Sequence, residues 1–307
     1  MFERIKKQIG TAADGTPVQK NATIRVIGDR ASGKTTYMAA LARFPQSRAS
    51  QSSRSQVDSS IKDISANNDN GETLIAKAQN ILEQGLELEP TDLSPNAENA
   101  IDYQLTITLG ALSRLGGTEG TQLNVGFKDY AGEFFSDLLK AKNDPRLESY
   151  LADCGAASGI MFLMDGSAQR KDAEYAQEVE AFFRQLSLSG NDYQLERVAL
   201  VLTKCELPDL WIKRDQPALL AQQKFKQVCE TMRTWQINNG KAVEFFTSSA
   251  FGVMGEPFAE PNSKEQSRDR GGVTSVLKNS KRWKPFGLVA PIYWLCTGDR
   301  SQKLDEE

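Results

Sequence analysis

Eight consecutive residues, Gly28-Asp29-Arg30-Ala31-Ser32-Gly33-Lys34-Thr35, follow the pattern GxxxxGK[ST], behind a β-branched run from Thr23 to Ile27 and ahead of a helix-period segment from Lys34 to Phe44. Strand, tight loop and helix in that order turn successive backbone N–H groups inward and add the partial positive charge of a helix amino end, which suits a phosphate. Lys34 can span two phosphate oxygens, and the Thr35 hydroxyl, with Thr36 beside it, is a hard oxygen ligand suited to magnesium. The spacing predicts nucleotide phosphate binding by residues 28–36.

Other loops carry polar residues at the ends of apolar runs. Asp129-Tyr130-Ala131-Gly132 is a DxxG, where a carboxylate can hold magnesium through water and a glycine N–H can meet a γ-phosphate. Thr203-Lys204-Cys205-Glu206 and Ser248-Ser249-Ala250 end two later runs. A second DxxG, Asp269 to Gly272, follows no strand, so position and not pattern marks the first. The chain has no histidine, which excludes Ser-His-Asp and Cys-His pairs, HExxH zinc sites and any imidazole base.

These loops need a scaffold. Apolar runs at Thr23–Ile27, Ile160–Met164, Val198–Thr203 and Val243–Phe246 suit strands of a mostly parallel sheet covered on both faces. Tyr103–Leu109 and Leu123–Asp129 alternate around a Gly-rich turn and predict a hairpin at a sheet edge. Tyr175, Val179, Phe182, Phe183 and Leu186 share one helical face, Ala221, Phe225, Val228, Met232 and Trp235 share another, and both stripes read as core. Pro45 should stop the first helix, and a final helix near Pro291 should cover the sheet.

Two segments break the rhythm. Residues 45–100 carry nine acids against four bases and open with seven serines between Ser47 and Ser60, so they read as a partly flexible insertion, helical over Ile61–Leu86. Residues 262–284, with seven bases against two acids from Lys264 to Lys284, read as a solvated basic loop. The 307 residues allow one large domain or two, and the element order favours an N-terminal tail at 1–20 and one domain over 21–307. Net charge of −3 gives no attraction to nucleic acid, and the longest nearly apolar stretch, Gly287 to Cys296, falls short of the roughly 20 residues that span a bilayer. Four widely spaced cysteines suit reduced thiols in the cytoplasm.

The series of loops resembles the Ras-like, translation-factor-related class of P-loop GTPases, whose motifs are the phosphate loop, a switch threonine, DxxG, [NT]KxD and SA. That resemblance implies an α/β fold with a six-stranded, mostly parallel sheet, helices on both faces and an insertion between the first helix and the second strand. It further implies magnesium held by Thr35, Asp129 and a switch threonine. Thr91, in Glu89-Pro90-Thr91-Asp92, is the candidate for that switch, since Thr73 falls in a helix and Thr106 in a strand; Thr91 equally suits a residue that only caps a turn. By the same resemblance Thr203 and Lys204 line the base, Glu206 replaces the family's aspartate at the guanine edge, and Ser249 and Ala250 offer backbone N–H groups. Glu133 stands after Gly132 where a water-orienting glutamine is usual, which implies slow hydrolysis, and Arg30 could offset its charge. The insertion, the DxxGE ending and Pro291 to Leu295 also resemble the prokaryotic double-GTPase family of multi-protein systems. The expected function is a GTP/GDP switch with protein partners at residues 45–100; alternatives are a nucleotide-holding pseudo-GTPase scaffold or a P-loop ATPase or kinase.

Overall fold

The computed structural model describes residues 17–49, 59–86, 101–112, 120–129, 137, 139, 145–188, 195–255, 259–267 and 273–307. Strand β1 (Val18–Ile27) lies between β4 (Thr121–Asp129) and β5 (Gly159–Asp165), parallel to both. β6 (Arg197–Thr203) and β7 (Ala242–Thr247) extend the parallel side, while on the other side β3 (Ile101–Leu109) pairs antiparallel with β4 and β2 (Ile61–Ala66) antiparallel with β3, in the order β2-β3-β4-β1-β5-β6-β7. This is the mostly parallel, doubly wound α/β fold expected, with seven strands where six were counted. Strand order reverses on either side of β1, and the crevice at the carboxyl end of such a switch point is where ligands of open α/β sheets bind.

The extra strand is β2. Isoleucines at positions 61 and 64 have a helix-like spacing, yet a register shift between Ile61 and Asp63 inserts one residue against β3 and turns both side chains inward. The predicted helix therefore begins only at α2 (Asp69–Gln84), capped by Asn68, whose carboxamide oxygen accepts from the Gly71 N–H, and closed by Gly85 at φ +70°. With β2 outside it, the β3–β4 hairpin lies within the sheet and not at its edge.

Helix α1 (Lys34–Ala49) passes through Pro45 instead of stopping there. One face of the sheet buries Ile24, Val26, Leu105, Phe127 and Leu163 against Tyr37, Leu41 and Phe44 of α1, Leu74 and Ile81 of α2, and Trp294 of the late helix Ala290–Thr297. The opposite face buries Phe162 and Leu200 against Tyr150 of α3 (Pro145–Gly155), Phe182 and Phe183 of α4 (Asp172–Leu188) and Trp235. The stripe ending in Trp235 is two helices, Pro217–Lys224 and Lys226–Asn239, broken at Phe225. The expected basic loop is instead a hairpin, Ser263–Ser267 against Val273–Leu277, with Val276 and Leu277 buried: alternation within a charged segment outweighed its composition.

Candidate functional site

The carboxyl ends of the parallel strands bring the sequence-predicted loops to one edge. At the end of β1, a Cβ on Gly28 would meet the Leu163 carbonyl and come within 2.6 Å of Ser32 Oγ, so the close turn admits only glycine. Ala31 at φ +66° and Gly33 at φ +91° curl the loop through the left-handed region, the conformation that converges backbone N–H groups into an anion-binding nest. Lys34 arches back over it, its Nζ donating to the carbonyls of Gly28 at 2.7 Å and Asp29 at 3.2 Å. Ser32 is buried, and its hydroxyl has no hydrogen-bond partner among the described residues. Thr35 and Thr36 stand half-buried in the first turn of α1, and Arg30 is exposed.

Asp29 does not face the nest. Its carboxylate accepts the Arg30 N–H at 2.6 Å, pairs with the Lys171 ammonium and takes the Tyr175 hydroxyl at 3.4 Å. Lys171 is held above the usual lysine range by its hydrogen bond to Asp29.

At the end of β6, Thr203 Oγ1 donates to the Ser32 carbonyl at 2.7 Å, fastening this strand to the phosphate loop. Lys204 adopts φ +60°; it and Ala31 are the two non-glycine residues in the left-handed region among those described, and both lie at this edge. Its Nζ pairs with Asp165 at 2.6 Å, and Ser167 gives the same carboxylate its N–H and hydroxyl. Burial pushes the Asp165 carboxyl up, but the hydrogen bonds from Lys204 and Ser167 outweigh it and leave it below the usual range.

Glu206 is only 3% exposed and accepts the Ser249 hydroxyl at 2.6 Å, while Ser249 Oγ in turn accepts the Gly252 N–H at 2.7 Å. Burial raises the Glu206 carboxyl above its ordinary range, and the Ser249 hydrogen bond offsets part of the shift. The Ser249 N–H is engaged by the Phe286 carbonyl. Of the two amides expected to face a base, only that of Ala250 makes no hydrogen bond among the described residues. The Cys205 N–H donates to the Ser248 carbonyl at 3.1 Å, joining the two loops.

Asp129 closes β4 opposite Val26, one residue from the phosphate loop, though its side chain lies outside the description, as do Thr91, Gly132 and Glu133. Sequence reasoning missed Asp165 and Lys171. An acid that ends an apolar strand, as in Met164-Asp165-Gly166, was the available signal for the first; nothing in the sequence marked the second. No helix among the described residues is long and apolar enough to cross a membrane, and none of their acids and cysteines cluster as a metal site.

The model of one family, Double-GTPase 2, matches residues 90–260, more than half of the chain. No curated protein matches. Two similar solved structures are of the S. cerevisiae Ski7 GTPase-like domain, one bound to GDP and inorganic phosphate (14% identity, TM-score 0.36) and one bound to GTP (14% identity, TM-score 0.37). In each case the match covers 80% of this chain and 48% of the other, so the chain spans about half the length of those proteins.

Proposed function

We propose that this chain, which belongs to the Double-GTPase 2 family, binds GTP and GDP at the carboxyl edge of its sheet and hydrolyses GTP slowly as a switch within a multi-protein assembly. One observation carries the reading: the curled phosphate loop under Lys34 is fastened through Thr203 to the strand whose next loop holds the Glu206–Ser249 pair. A phosphate-binding nest and a carboxylate suited to a base edge are thereby set on one rigid frame.

In this reading the backbone N–H groups of residues 31–36 and the Lys34 ammonium take the β- and γ-phosphates. Lys204 lies along the base. Glu206 accepts the ring N–H and exocyclic amine of guanine, and the Ala250 amide meets its carbonyl. Adenine would set a bare ring nitrogen against the carboxylate, so selectivity comes from repulsion as well as attraction.

The donor set suits magnesium, being oxygen-only, with the Thr35 hydroxyl at the helix start and Asp129 one residue from the loop. Thr35, Asp129 and Thr91 would hold the ion. Bound there, it would neutralise charge on the phosphate oxygens. Glu133, a carboxylate in place of a neutral amide, disfavours charge build-up at the γ-phosphate and keeps turnover slow, with Arg30 placed in the loop to offset it. Residues 45–100, which include Thr91, supply the nucleotide-dependent surface for a protein partner. We place the protein in the cytoplasm, in line with its four free cysteines.

A second reading, a pseudo-GTPase that holds nucleotide as a scaffold, is favoured by the burial of Glu206 and its engagement with Ser249, which also suit a purely internal tie. The first test is the nucleotide released when the purified protein is denatured, identified by chromatography. Guanine nucleotide is expected; adenine nucleotide, or none with no binding on titration, contradicts the proposal.

A further inference from the structure

The loop that carries Ser249 and Ala250 is held from behind by a strap, residues 283–287, that follows the basic hairpin. Ser249 and Phe286 exchange both backbone hydrogen bonds, at 3.0 and 3.1 Å, and the Ser248 hydroxyl donates to the Phe286 carbonyl at 3.3 Å. Gly252, at φ +68°, lies so close to the strap that a Cβ would collide with the Lys284 carbonyl. The shortest of these ties is the Trp283 indole N–H, which donates to the Ala250 carbonyl at 2.7 Å from a ring only 2% exposed. An indole offers a donor and no acceptor, so this ring has one polar role and fills it here.

What holds the ring is remote from the base-side loop. The Arg43 guanidinium of α1 lies 5.4 Å from its centroid, and Arg43 pairs with Glu83 of α2 at 2.9 Å. Gly85, at the end of α2, packs so closely on the hairpin that a Cβ would lie 2.6 Å from Thr274 Cγ2. Asn262 closes the hairpin's base by exchanging hydrogen bonds with Asn279 at 2.8 and 2.9 Å.

Resting on the guanine reading above, we propose that Trp283 is a positioning residue for the base. By fixing the Ala250 carbonyl it anchors the peptide that follows Ala250, while the strap's Phe286 N–H holds the Ser249 carbonyl, whose peptide carries the Ala250 amide; pinned on both sides, that amide keeps its direction, and α1, α2 and the hairpin determine through the ring how firmly the loop grips guanine. A residue acting this way alters base affinity and leaves phosphate affinity alone.

The experiment compares the parent with Trp283→Phe, which keeps a ring and loses the donor. Amide exchange of nucleotide-free protein should quicken at least fivefold at Gly252 and Phe286. Calorimetry should show GDP bound five- to tenfold more weakly and inorganic triphosphate bound within twofold of the parent. Unchanged exchange, unchanged GDP affinity, or equal weakening of both ligands overturns the proposal. Should the phenylalanine variant not fold, Arg43→Met leaves the indole and removes the cation over it. GDP weakened at least threefold with triphosphate unchanged supports the proposal there, and no change overturns it. A parent that prefers GDP to ADP while both variants match it ends this proposal alone; a parent that binds GDP and ADP alike ends the guanine reading as well.

Discussion

Thr203 Oγ1 donates to the Ser32 carbonyl across 2.7 Å, so the strand that leads into Lys204 and Glu206 is bonded directly to the phosphate loop. The bond is buried and its acceptor would be left unpaired by Thr203→Val, a loss of about 1–3 kcal/mol. Because that loss falls on the geometry relating the two halves of the site, the variant should bind GDP about tenfold more weakly, which calorimetric titration measures. Parent-like affinity would show that the tie does not set the site.

Lys34→Ala should abolish nucleotide binding while leaving the fold intact. Its ammonium is half-exposed and touches backbone carbonyls of the loop, so its removal takes away charge-assisted contacts to phosphate without emptying a core position. At least a hundredfold loss of GDP affinity is expected, with a melting midpoint within about 3 °C of the parent. A folded variant with unchanged affinity would remove the loop from the site.

The pair Asp29–Lys171 predicts non-additivity. A carboxylate inside a phosphate-binding loop repels its ligand unless it is neutralised, and Lys171 neutralises it. Since the lysine side chain is 44% exposed, screening limits the effect to about 0.5–1 kcal/mol. Lys171→Met should weaken GDP binding two- to fivefold, and adding Asp29→Asn should restore most of it. A double variant as weak as Lys171→Met would show that the pair acts on the fold and not on the ligand.

Glu206 predicts a pH dependence of opposite sign to the usual carboxylate. Its folded pKa is raised above the ordinary value of 4.5 by burial, so the folded state holds the proton longer than the unfolded chain. Stability is then fully present below pH 4.5 and declines as pH rises from there through the folded pKa. Glu206→Gln should flatten that decline in thermal melts from pH 4.5 to 8, and it should also lose most of the preference for GTP over ATP. A variant with the parent's melting profile and the parent's selectivity would leave Glu206 with neither role.

The phosphate loop was legible because its geometry is local: glycines at positions 28 and 33 and the flanking strand and helix all lie between Thr23 and Phe44. The two base-side segments were legible because each ends an apolar run in a parallel sheet, which fixes the edge they reach. The pairs Lys204–Asp165 and Lys171–Asp29 join positions 39 and 142 residues apart, so only the folded sheet brings them together. Strand β2 was hidden by its bulge, which gives Ile61 and Ile64 the spacing of a helix. Pro45 misled as a stop: α1 runs through it to Ala49. The hairpin after Asn262 was masked by its charge.

Competition against a labelled guanine nucleotide measures whether the edge at Glu206 and Ala250 selects guanine. A carboxylate accepting two donors gains roughly 1.5–3 kcal/mol per charged hydrogen bond. The extra methylene of Glu206 over an aspartate takes back some rotamer freedom, so GTP should displace the label at least tenfold more effectively than ATP. Equal displacement by ATP and GTP in the parent protein would contradict guanine selection at this edge.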